Sequence, residues 1–372
     1  MTRPYSFWNP APQPKLSRRQ MLLSAGAVIA STSIGANRSS AQSVGNPSNL
    51  ELRIATYGGS WRDAIEKNIT PALMSHGVKI TFIIGSPEDN LARVIAARRE
   101  NRVPFDVMDG MPYFYNDAVR NGFLAKIDYS KLNNKTKNPT KIFSEAQVIV
   151  EWTPECIVYN EAKFESIGVA PPERYSDLSE PKLRGRVSFP NVSHVQHWAA
   201  VVGLAREHGG DEANLDMVPD LIRKMGASYY YSNSAELASR FSSGDIWAAP
   251  WGGGWAVRLK RGNVPVAVSY VKFGDKIGSL WPNIKWIIGG TPNLNVAHEY
   301  IDLWLEAENP AKFCEATGTV PVNPKAREIM VKDPHNKAML LLTDEQIEKA
   351  YVVNWERFDT KKWRDTWQRV VQ

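Results

Sequence analysis

The sequence predicts an α/β chain of two lobes, and three observations carry that prediction. From Leu52 to Asn121, β-prone runs alternate with helical patterns at a strand–helix–strand–helix–strand spacing, which implies a parallel sheet wrapped by helices. A second set of such alternations begins near Arg186. The 372 residues, even without an N-terminal leader, exceed the roughly 250–300 residues at which a single core stops growing.

Residues 1–41 read as an export signal, separate from the fold. Ser17-Arg18-Arg19-Gln20-Met21-Leu22 sets two adjacent arginines before an uncharged stretch, Met21 to Ile34, and small residues close it at Ser39-Ser40-Ala41. A basic part, a short apolar part and a small-residue cleavage site in that order make a removable signal. The arginine pair resembles a twin-arginine signal, with Met21 where a Phe is more usual. The apolar part is too short to anchor in a bilayer. The expected destination is the bacterial periplasm.

Charge narrows the function classes. Of the 45 Lys and Arg, five precede residue 50 and no acid precedes Glu51, which leaves 40 positive against 39 negative side chains in the mature part. The high isoelectric point is therefore largely a property of the leader, and neither nucleic acid nor a membrane surface is an expected partner. No segment after residue 50 is apolar enough to span a membrane. The two cysteines, Cys156 and Cys314, fit two buried thiols or a disulfide; no CxxC or zinc-finger spacing accompanies them.

In chain order, Leu52 to Tyr57 is a strand ending at Gly58-Gly59-Ser60, followed by a helix from Trp61 to about His76. Val78 to Ile84 is a buried strand. Ser86-Pro87-Glu88-Asp89 opens a helix that runs to about Asn101, with Ser86 as cap and Pro87 at the first helical position. Phe105 to Met108 is a strand, and Tyr115 to Asn121 a helix stopped by Gly122. The polar stretch Asp128 to Thr140 reads as a surface excursion. Gln147 to Trp152 and Cys156 to Tyr159 read as strands leaving the first lobe. The second set has strands at Arg186–Phe189, Ser228–Tyr231, Ile246–Pro250 and Val264–Tyr270. Its helices are Ser193–Glu207, Ser234–Phe241 and Gly254–Arg261. A strand at Ile284–Ile288, helices at His298–Leu305 and Pro310–Thr317, and amphipathic helical segments that include Lys361–Val371 finish the chain.

Four segments, in order, resemble periplasmic solute-binding proteins of the spermidine/putrescine class. They are Phe105–Asp128 (FDVMDGMPYFYNDAVRNGFLAKID), Tyr175–Val187 (YSDLSEPKLRGRV), Ser243–Trp251 (SGDIWAAPW) and Gly278–Asn323, which ends in GTVPVN. The resemblance implies a type II periplasmic-binding-protein-like fold: two α/β lobes joined by a two-crossover hinge that closes on a ligand. One lobe is expected from residues 50–152 and 283–327, the other from 153–282 and 328–372. It also implies a monomer that feeds a small-molecule ligand to an inner-membrane ABC permease, without a cofactor.

Ligands in such folds collect beyond the carboxyl ends of strands. Tyr57-Gly58-Gly59-Ser60 stands at one such end, where glycines admit a ligand to the backbone and a helix start favours an anion; a plain turn capped by Ser60 fits as well. Asp109 begins the next strand-end loop, as acceptor for a ligand amine or as a cap. The resemblance places Pro112, Tyr113 and Phe114 at ligand-facing positions. It also matches Trp251 and Trp281 to the two indoles that sandwich the polyamine chain in those proteins.

Departures from that class point away from polyamines. Its Asp two residues after the second tryptophan is Asn283 here, and its acids at the second-lobe helix start are replaced by Asn191-Val192-Ser193-His194-Val195-Gln196-His197. Each buried ammonium needs a carboxylate partner. A zwitterion or small carboxylate, amino-acid-like or opine-like, fits better, with His194 as a donor to its acid group. Polyamine binding is the alternative. Ferric iron, raised by Tyr229-Tyr230-Tyr231, is weaker because the iron binders place paired tyrosines after the counterpart of the Trp251 strand. A twin-arginine-exported enzyme lacks support: no GxSxG, HExxH or dinucleotide fingerprint occurs, no catalytic residue is expected, and His194/His197 alone make no metal site.

Overall fold

The first strand, β1 (Glu51–Thr56), buries Leu52, Ile54 and Ala55 and pairs in parallel with β2 (Lys79–Ile84) and β3 (Val107–Gly110). These connections are the expected crossover helices. Ser86 caps the Pro87–Arg98 helix reciprocally: its hydroxyl accepts from the Asp89 N–H at 3.1 Å while the Asp89 carboxylate accepts from the Ser86 N–H at 3.4 Å. The helix expected over residues 61–76 is two helices, Ser60–Asn68 and Pro71–Ser75, because Pro71 has no N–H to continue the first and starts the second. The computed structural model describes residues 50–135 and 143–371. The expected leader and residues 136–140 of the surface excursion lie outside them.

The remaining strands are β4 (Phe143–Ser144), β5 (Gln147–Asn160), β6 (Ser188–Pro190), β7 (Tyr229–Tyr231), β8 (Ala248–Gly252), β9 (Val266–Ser269), β10 (Lys272–Phe273), β11 (Lys276–Ile277), β12 (Ser279–Ile287) and β13 (Val320–Pro321). The main sheet runs β13-β5-β12-β3-β1-β2, with β4, β8 and β9 also on β5. It is mixed where a parallel sheet was expected, because β12 returns antiparallel between β3 and β5. β6 and β7 form a separate parallel pair.

β5 is one 14-residue strand where the sequence reads as two. Residues 148–155 pair with β12 and β13, and residues 155–160 with β8 and β9. Pro154 falls between the β13 partners Glu151 and Trp152 and the β8 partners that begin at Glu155. Its missing N–H thus sits in a gap of one ladder and does not end the strand.

Two apolar clusters fill the interior. One gathers β1, β3 and β12 with Trp304 and Phe313, and extends to Phe241 and Trp251. The other packs Tyr175, Phe189 and Trp198 against Trp363 and Trp367 of the C-terminal helix Thr360–Val370. Two helices escape the sequence reading, Glu161–Ser166 and Val218–Met225. Both cysteines are buried and free: Cys156 Sγ lies 3.6 Å from the Trp251 carbonyl and Cys314 Sγ 3.7 Å from Glu151 Oε2.

Candidate ligand-binding site

A cavity of about 310 Å³ opens where the carboxyl ends of β1, β6 and β8 converge on the middle of β5 and β12. The end of β1 contributes Tyr57, Ser60 and Trp61; β5 and β12 contribute Thr153, Trp281 and Asn283. From the loop after β6 come His194, Val195 and Gln196, with Ser234 from the Ser234–Ser243 helix behind them. Gly252, Gly254, Trp255 and Arg258 come from β8 and the Gly253–Arg261 helix, and Thr317, Gly318 and Thr319 from the turn before β13. No Asp or Glu is among these residues, and Arg258 is the one Lys or Arg.

Five of the residues singled out in the sequence line this cavity: Tyr57, Ser60, His194, Trp281 and Asn283. Ser60 is not the helix cap: Gly59 holds that position, with φ +62°, and the exposed Ser60 side chain makes no capping bond. Gly58 and Gly59 are exposed beside it, and a Cβ on Gly58 would lie 2.9 Å from Ile84 Cγ2, so a larger residue there requires that side chain to shift. Burial, with Asp109 nearby, pushes the Tyr57 phenol well above its ordinary value, so it acts as a neutral hydroxyl. Asn283 Nδ2 donates to Thr153 Oγ1 at 3.0 Å, which fixes the amide in the cavity wall.

His194 is not a cation. Burial lowers it to about 4. The Gln196 N–H approaches Nδ1 at 3.4 Å, which leaves Nε2–H to donate to Ser234 Oγ at 2.9 Å. His197 is further inside: Nδ1 donates to the Pro190 carbonyl at 2.8 Å and Nε2 accepts from Trp363 Nε1 at 2.6 Å. Neither nitrogen is free for a metal. Among the described residues no group of three or more His, Cys, Asp and Glu is placed to hold one.

Other expected ligand contacts stand elsewhere. Trp251 is fully buried, stacked on Phe241 at 5.6 Å and on Trp255 at 5.3 Å, with its Nε1 donating to Ser234 Oγ at 3.0 Å. Of these two stacked indoles it is Trp255, one helical turn later, that lines the cavity, with Trp61 and Trp281. Asp109 is buried in an ion pair with Lys285 and accepts from Thr56 Oγ1 at 2.5 Å, so its carboxylate is already engaged. Pro112, Tyr113 and Phe114 form a 3₁₀ turn behind Trp281. There the Tyr113 hydroxyl donates to Glu88 at 2.5 Å, and its ring lies 6.4 Å from Trp281 and 5.4 Å from Trp355. Tyr229, Tyr230 and Tyr231 line no part of the cavity; Tyr231 donates to the Pro250 carbonyl at 2.6 Å.

Sequence reasoning missed Trp61, Thr153, Trp255, Arg258 and the Thr317–Thr319 turn. A signal existed for Trp255 and Arg258, which follow the Gly252-Gly253-Gly254 run at helical spacing. Arg258 lies with its guanidinium 4.6 Å above the Trp255 ring and donates to the Ala316 carbonyl at 2.6 Å. Burial, with Arg261 nearby, lowers its pKa. Beneath the cavity floor, Thr319 donates to Glu151, a buried carboxyl that burial raises to about 7.

Comparison with known proteins agrees with this architecture. A family model described as bacterial extracellular solute-binding protein matches residues 63–338. No curated protein matches the chain. Among solved structures, a GABA receptor aligns with a TM-score of 0.71 at 20% identity, over 86% of this chain and 96% of that one. The PBP AgtB from A. tumefaciens R10, in complex with agropinic acid, aligns at 0.64 and 19%, over 87% and 98%. A protein described as a spermidine/putrescine ABC transporter from Listeria monocytogenes aligns at 0.69 and 17%, over 87% and 99%. At these identities the likeness is one of fold, and the fold is the periplasmic-binding-protein-like one expected from the sequence.

Proposed function

The chain belongs to the bacterial extracellular solute-binding protein family, and from that premise we propose that, as the substrate-binding component of an ABC transporter, it captures a small solute carrying an acid group. One observation carries the cargo class: the 310 Å³ cavity is lined by no carboxylate and by one arginine. A polyamine there would leave each ammonium without a counter-charge, at a cost of several kcal/mol. A carboxylate meets hydroxyls, amides and a guanidinium instead. The volume suits an amino-acid-like or opine-like molecule, and structural relatives are described with GABA and with agropinic acid.

The remaining parts of the reading follow from the sequence. Residues 1–41 direct twin-arginine export to the periplasm, where the mature monomer delivers its cargo to an inner-membrane permease. Residues 50–152 and 283–327 form one lobe, and residues 153–282 and 328–372 the other. Support for this division is that residues 333–363 contact the second group: Asp333 pairs with Arg261 at 2.9 Å, and Trp363 donates to His197. No helix among the described residues is long and apolar enough to cross a membrane.

The test is a thermal-shift screen followed by calorimetry on the mature protein with γ-aminobutyrate, agropinate, putrescine and spermidine. Binding to the native state alone raises the melting temperature. The acids are expected to bind at least 10-fold more tightly than the polyamines, about 1.4 kcal/mol. The reverse order would overturn the cargo class.

A further inference from the structure

Resting on the acid-cargo reading, we infer that Arg258 is the docking point for the anionic group, and that the cargo thereby ties the Gly253–Arg261 helix to the turn Thr317–Thr319. The guanidinium has five N–H donors. One goes to the Ala316 carbonyl at 2.6 Å, and no ion pair engages Arg258 among the described residues. Its Cζ stands 4.6 Å over the Trp255 ring, a cation–π contact that steadies the guanidinium at the cavity wall. A planar carboxylate is the acceptor that matches such a fork.

The surroundings favour the same occupant. Arg258 is half-buried, and burial together with Arg261 works against its charge, so an anion placed against it offsets that cost. Arg327, a buried arginine, differs in having both backbone carbonyls and Asp344 as partners. Arg258 instead shares the cavity lining with Thr317 and Thr319. Its bond to Ala316 already bridges helix and turn, and the backbones of Gly254 and Gly318 touch beside it: a Cβ on Gly254 would lie 2.0 Å from the Gly318 carbonyl oxygen. An anion seated here contacts both elements at once.

The experiment measures γ-aminobutyrate and agropinate, together with 4-aminobutanamide, in which an uncharged amide replaces the carboxylate of γ-aminobutyrate and the ammonium is kept, against wild type, Arg258→Gln and Arg258→Lys. Arg258→Gln is expected to lower affinity for the acids about 10- to 100-fold, as loss of charge-assisted hydrogen bonds does, with less than about 3-fold change for the amide. Arg258→Lys, which keeps charge but not the fork, is expected to fall between. The ligand-free melting temperature of each variant reports its fold, and the lysine variant carries the test where the glutamine variant melts early. Acid affinity in both variants equal to wild type would overturn the docking point and leave the cargo class standing. Failure of the wild type to bind either acid would overturn both.

Discussion

Trp251 and Trp255 are four residues apart, stack on each other, and are predicted to fail differently when truncated. Trp251 is enclosed between Phe241 and Trp255, so Trp251→Ala leaves a cavity in the core and is expected to cost about 3–5 kcal/mol of stability. Trp255→Ala removes cavity wall and the surface under Arg258, and is expected to weaken cargo binding by more than about 1 kcal/mol with a smaller stability loss. Urea titration and calorimetry on both variants separate the two, and equal stability losses would contradict the assignment. The sequence placed an indole at this wall but named the wrong one. Which of two close tryptophans faces a cavity depends on where the strand gives way to the helix, here at Gly253, and residue type does not encode that. Asp109 was illegible for another reason. Its partner Lys285 lies 176 residues away on β12, opposite Asp109 of β3, and only the folded register brings them together.

Among elements, the contact between the Gly253–Arg261 helix and the turn after Glu308–Thr317 is the tightest backbone approach at the site. Gly254→Ala forces these backbones apart, and overpacking of this kind costs about 1–3 kcal/mol. Differential scanning calorimetry is expected to show a lower melting temperature, and an unchanged one would mean that the helix and turn separate freely. The Gly252-Gly253-Gly254 run reads in the sequence as open space beside Trp251; that the space at Gly254 is instead filled by Gly318 is visible only in the fold. Strongly patterned elements were legible: β1, β2 and the Pro87–Arg98 helix with its serine cap all stand within three residues of their expected bounds. The Val218–Met225 helix was missed although Pro219 at its start and Gly226 in the left-handed region at its end are boundary signals. Pro154 and Pro71 misled in opposite directions. Pro71 divides a helix that reads as one in the sequence, and Pro154 lies inside a strand that reads as two.

For the whole molecule, three buried groups, Glu151, Glu155 and His197, and the partly buried His194 shape a pH profile. Burial raises Glu151 to about 7 and Glu155 to about 8, from 4.5, and lowers His194 to about 4 and His197 to about 3, from 6.5. The folded acids keep protons that the unfolded chain has released, so their contribution is complete below pH 4.5 and is lost as pH rises towards 8. The folded histidines refuse protons that the unfolded chain takes up, so their contribution is complete above pH 6.5 and is lost as pH falls. Between pH 4.5 and 6.5 the two slopes oppose each other. The stability contributed by these groups is therefore flattest there, and declines on both sides. Urea midpoints measured across pH 4 to 8 are expected to fall from 6.5 to 8, and less so in Glu155→Gln; a midpoint that rises over that range would contradict the burial of these acids as protonated groups. The fold class was legible because it rests on alternation and order over hundreds of residues, where local errors cancel. The mixed sheet was not, since strand direction follows from how the chain returns.

β5 gives one last result. Because its first half is laddered to β12 and β13 and its second half to β8 and β9, no cut near residue 153 yields two separately expressible fragments. Each piece would carry half a backbone ladder with bare edges, the kind of surface that drives aggregation. Grafting one half onto a relative to change its cargo therefore requires exchanging the whole strand together with its neighbours on both sides.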